Sequence, residues 1–161
     1  MKRFLVMLAL ITVIVGVLTY FMPRGLQHYV EDIAADATVS IYCRSTDWHS
    51  NDEKHQNIDL GCGKIAQCSV SELKNALAHC QNIDGFSVRF DGTEQDIERL
   101  VNLFNLQVSS TLNLVDGLLV LCGNSAKLTG GVIIDGCVVN MQIAYKDGIV
   151  TVGSPLILGD Y

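Results

Sequence analysis

The sequence predicts an α+β fold in which an N-terminal transmembrane helix leads into a mostly antiparallel sheet with two helices packed on one face. Three features carry this expectation. An uncharged run opens the chain, two helix-capping signatures precede amphipathic stretches in its middle, and Asp-Gly pairs separate alternating apolar segments in its second half.

Met1-Lys2-Arg3 is followed by nineteen residues, Phe4 to Met22, without a charge. As a helix they would reach roughly 28 Å at about 1.5 Å per residue, close to the thickness of a hydrocarbon core. The run is longer than the apolar region of a signal peptide and ends in Leu18-Thr19-Tyr20-Phe21-Met22-Pro23-Arg24, without an A-x-A-like cleavage site. A retained anchor over residues 1–25 is expected, with residues 26–161 forming one domain. Lys2 and Arg3 outweigh Arg24 and favour a cytoplasmic N-terminus, which puts the domain on the extracytoplasmic side of a single-pass cell-membrane protein.

Charge narrows the choice of partners. The formal net charge of -6 includes three cations that flank the anchor, so beyond Arg24 eight basic residues face all seventeen acids, a balance of -9. Such a domain lacks the basic footprint of a nucleic-acid binder and repels anionic lipid.

Beyond the anchor, Leu26, Val30 and Ile33 recur at helical spacing. Val39, Ile41 and Cys43 then alternate with Ser40 and Tyr42 as in a half-buried strand. Ser45 to Lys64 is polar and aperiodic, which suits a functional connection or a pair of weakly marked edge strands. Ser69-Val70-Ser71-Glu72 is a capping box, followed by Leu73, Leu77 and Cys80 on one face of a helix expected to close near Asn82 to Gly85. Phe86 to Phe90 alternates as a strand. Thr93 to Asp96 is a second cap, with Ile97, Leu100, Val101 and Phe104 behind it.

After Asn105 the period changes to two, and Asp116-Gly117, Asp135-Gly136 and Asp147-Gly148 are two-residue loops of the kind type I′ hairpins favour. A β-meander is expected in this half. Pro155 cannot donate to a ladder, so Ser154 to Leu158 is expected to be an edge or a tail folded back on the domain. The segment from Val138 to Gly159, with Tyr145-Lys146-Asp147-Gly148-Ile149-Val150 at its centre, resembles the C-terminal stretch of small membrane-anchored bacterial proteins with no assigned activity. That resemblance implies a bacterial envelope location and no chemistry.

Candidate site residues cluster between Ser45 and Cys68. Trp48, the only tryptophan, stands beside His49 in a polar stretch; it suits either a partner contact or a cap on the core edge. Six cysteines, Cys43, Cys62, Cys68, Cys80, Cys122 and Cys137, could form a disulfide framework in fifteen ways or serve as small core residues. Cys62 and Cys68 flank a glycine-containing loop outside any apolar pattern and are the candidates for a bridge or an accessible thiol. A thiolate at Cys62 would need His49 or His55 as its base.

His49, His55, Cys62 and Cys68 are spaced too widely for zinc knuckles, and Asp52, Glu53 and Asp59 lack EF-hand spacing, so neither metal nor cofactor is expected. The function expected is a non-enzymatic interaction module that binds an envelope protein or another copy of itself. The competing expectation is a thiol-dependent or hydrolytic enzyme centred on Ser45 to Cys68.

Overall fold

A computed structural model describes residues 25–50, 55, 57–114 and 117–157. The expected anchor, Phe4 to Met22, lies outside them, as do Asp52, Glu53, Asp116 and Leu158. No helix among the described residues is long and apolar enough to cross a membrane.

The fold is α+β, with one large antiparallel sheet and few helices. A 3-10 turn at Leu26–Tyr29 leads into α1 (Val30–Ile33) and then β1 (Thr38–Thr46). Next come β2 (Asn57–Asp59), β3 (Lys64–Ser69), a 3-10 turn at Val70–Glu72, α2 (Leu73–His79), β4 (Cys80–Asp91) and α3 (Glu94–Phe104). The second half supplies β5 (Gln107–Asn113), β6 (Leu119–Asn124), β7 (Val132–Ile134), β8 (Cys137–Val139), β9 (Met141–Lys146) and β10 (Ile149–Ser154). Eight strands form the sheet β2-β3-β1-β4-β10-β9-β6-β5, and β7 with β8 stands apart as a two-stranded ribbon.

Registration explains the core. Cys68, Val39, Val88, Val152, Ile143 and Leu121 stand opposite one another across six neighbouring strands. Side chains alternate across a sheet, so this row and its second neighbours, such as Ala66, Ile41 and Phe86, form one apolar face. The helices cover it with Leu26, Val30 and Ile33 before β1, Leu73 and Ala76 from α2, and Ile97, Leu100 and Phe104 from α3. Arg99 ties α3 to α1, its guanidinium donating to the carbonyls of Asp32 at 3.1 Å and Ile33 at 2.8 Å. These are carbonyls that the short helix leaves unpaired at its C-terminal end.

The intervening rows make the second face, which is divided. Over β9 and β6 it is apolar, with Ala144, Val120 and Cys122 packed beneath Val139 and Ile157. The chain after β10 folds back there, and the Ile157 amide donates to Gln142 Oε1 at 2.9 Å. Gly153 permits the crossing, because a Cβ at that position would lie 2.5 Å from the Ile157 nitrogen. Over β1, β4 and β10 the same face carries hydroxyls instead.

Two boundaries depart from the sequence expectation. Helical structure ends at His79, and the following strand starts at Cys80 instead of Phe86. Cys80 and Gln81 pair with Thr46 and Ser45, so β1 extends the strand through residues with no alternating burial, past Asn82 with its positive φ of 52°. The β7–β8 hairpin also leaves the main sheet, so the meander is interrupted between β6 and β9. Its turn and the β9–β10 turn place Asp135, Gly136, Asp147 and Gly148 at positive φ, as type I′ geometry requires.

Candidate functional site

The Ser45 to Cys68 region is anchored at several points. Trp48 is 5% exposed and belongs to the helix-side core. Its amide donates to Thr46 Oγ1 at 3.0 Å, its carbonyl accepts from the Asn57 side chain, and its ring lies 6.2 Å from the His79 imidazole. The indole N–H is buried without an acceptor among the described residues. His49, next to it, is exposed. The two residues thus occupy different environments, with Trp48 wedged against α2 and His49 in solvent.

Glu72 organises the polar groups nearby. Its carboxylate accepts from the Ser69 amide at 3.1 Å and the Ser69 hydroxyl at 3.0 Å, and from Ser50 Oγ at 3.2 and 3.3 Å. His55 Nδ1 lies 3.9 Å away. A serine nucleophile needs a base positioned to take its proton. Here both serine hydroxyls lie against a carboxylate engaged in closing the capping box, so the arrangement fastens the connection to the start of the helical segment.

The cysteines separate by environment. All six carry free thiols. Cys62 and Cys137 are exposed, whereas Cys43, Cys68 and Cys122 are buried. Burial, followed by the neighbouring Cys80 thiol, pushes Cys43 up to about 12. Burial, followed by the Glu72 charge, does the same to Cys68, also about 12. Both are protonated at neutral pH and are core thiols in character, since only the thiolate is a nucleophile. Cys68 lies inside β3, and the strand from Lys64 to Cys68 alone spans about 13 Å, so Cys62 and Cys68 are too far apart to bridge each other. Among the described residues, no three His, Cys, Asp or Glu side chains converge as ligands for a metal ion.

Two surface features were not singled out by sequence reasoning. The first is β5, exposed at every position from Gln107 to Asn113 along one edge of the sheet. Val108, Leu112 and, just beyond the strand, Leu114 are each at least 43% exposed. The signal was present as an uncharged stretch from Leu100 to Val115, but alternation alone suggested one buried face. The second is a groove of about 290 Å³ on the hydroxyl-bearing part of the second face. Its residues come from five strands, the turn between β2 and β3, and the segment after β10, so no local pattern could reveal it.

An α+β domain built on one antiparallel sheet, with helices over one face and a partly open second face, is the class these residues define. Comparison of the chain with protein-family models, with curated proteins and with solved structures returned no match.

Proposed function

We propose that the chain is a single-pass envelope protein, anchored through Phe4 to Met22 with its N-terminus cytoplasmic, whose extracytoplasmic domain is a non-enzymatic interaction module. The reading rests on β5. An edge strand presents unpaired backbone donors and acceptors, and proteins commonly protect such edges with brevity, charge or proline. The opposite edge follows that rule, since β2 has only three residues and carries Asp59. Seven-residue β5 has neither charge nor proline, and its register shift near Ser109 leaves Ser110 to Asn113 regularly paired with β6 on the inner side.

Strand addition to such an edge supplies main-chain hydrogen bonds, while Val108 and Leu112 supply apolar contact. A second copy fits this edge as well as a foreign strand does, because two uncharged strands can meet without bringing together the excess acids of either domain. The recognition surface accordingly moves from Trp48, which lies in the core, to β5; His49 remains on the surface.

Cysteine introduced at Ser110, with the exposed Cys62 and Cys137 replaced by Ser, and oxidised in intact membranes should yield a linked species, either a dimer of the chain or a complex with another protein. Leu112→Lys in the same background should abolish it by placing a charge on the pairing edge. A crosslinking pattern indifferent to Leu112→Lys would overturn the proposal.

A further inference from the structure

The groove on the second face has the features of a small-ligand site. Arg89 lies in its floor, opposite Thr38 on β1 and Thr151 on β10. Arg89 is exposed, and its guanidinium makes no ion pair or hydrogen bond to any described residue. The next row toward Tyr42 carries Gln67, Ser40 and Ser87, and the Ser87 hydroxyl is hydrogen-bonded to the Tyr42 hydroxyl at 2.9 Å. Thr151 and Ser87 are 5% and 6% exposed, so the remaining access to these side chains is from the groove.

One wall is aliphatic. Ile58 faces Ile65 across β2 and β3, Leu60 follows on the same rim, and Ile157 of the folded-back tail closes the far side. None of the described residues that line the groove is a carboxylate, although the domain carries a charge of -9 beyond Arg24. Among the described residues one cation, a ring of hydroxyls and a short apolar wall therefore converge on about 290 Å³, the lower end of the size range of small-molecule sites.

We infer that this groove binds a small aliphatic carboxylate, its head on Arg89 with the Thr38 and Thr151 hydroxyls beside it and its chain along Ile58, Leu60 and Ile65. A planar guanidinium matches a carboxylate with two parallel hydrogen bonds. One positive charge balances a monoanion. A phosphate dianion would retain uncompensated charge inside an acidic domain, and a neutral alcohol would leave Arg89 unpaired. The groove lies on the sheet face, away from the pairing edge of β5, so this inference is independent of the interaction reading.

Titration calorimetry of the full-length protein in phosphatidylcholine nanodiscs tests it, with hexanoate as the probe and hexanol, hexyl phosphate and acetate as comparators. Hexanoate should bind saturably and more tightly than each comparator. Arg89→Met should weaken hexanoate at least tenfold while leaving the thermal midpoint in place, since the side chain is exposed and bonded to no described residue. Ile58→Ser should weaken hexanoate several-fold and leave any acetate binding unchanged. Absence of saturable hexanoate binding, equal binding of hexanol, or full hexanoate affinity in Arg89→Met would overturn the site. Tighter binding of hexyl phosphate would overturn the carboxylate assignment.

Discussion

Single residues read correctly from sequence where their structural role is local. Thr93 and Asp96 form the capping box that their spacing suggests, with the Thr93 amide donating to Asp96 Oδ2 at 2.9 Å. That backbone hydrogen bond, followed in effect by the Arg99 side chain, holds the Asp96 carboxyl below its usual range. A carboxylate depressed in the folded state contributes stability above its unfolded value, near pH 4, and loses it as pH falls through the lower folded value. Thr93→Ala should cost about 1 kcal/mol in denaturant unfolding at neutral pH. Asp96→Asn should flatten the acid limb of the stability curve below about pH 4; an unchanged limb would assign the acid sensitivity to other groups. Trp48 is the contrast, because the sequence around it is polar and its burial depends on α2 and His79, which arrive later in the chain.

At the scale of elements, α3 illustrates how far periodicity reaches. Ile97, Leu100 and Phe104 fall on the buried face, and Asn105 ends the helix at a φ of 48°. Leu100 and Phe104 are completely buried, and Phe104 meets the Tyr29 ring edge-on at 5.2 Å between centroids. Truncation of either to Ala should cost roughly 2 to 5 kcal/mol through lost burial and a residual cavity, read as a lower midpoint in thermal melts. Two unchanged midpoints would contradict the packing. The start of β4 shows where periodicity fails: Gln81 to Asp84 are all exposed and present no alternation, yet they are held extended by β1. Pairing with a distant strand overrides local pattern in such a segment.

The described part of the molecule combines an excess of acidic residues with an uncharged strand edge and the Arg89 groove. The proposed orientation places all of these outside the cytoplasm, a consequence of Lys2 and Arg3 preceding the uncharged run. Protease added to intact spheroplasts should therefore digest the domain without lysis. Protection until lysis would reverse the topology and remove the envelope from the functional reading.

Helix caps, hairpin turns and the α+β class were legible in the linear chain because each depends on neighbours within a few residues: Ser69 with Glu72, Thr93 with Asp96, Asp135 with Gly136, Asp147 with Gly148. Burial of Trp48, exposure of both faces of β5, and the meeting of Thr38, Arg89 and Thr151 were decided in three dimensions. Arg89 reads in the chain as an ordinary polar position of an alternating strand. Its place in a groove comes from strands brought alongside by antiparallel registration, with Thr38 more than fifty residues before it and Thr151 more than sixty after. Alternation assigns a side chain to one of two faces, but only the packing of the complete sheet determines what covers each face.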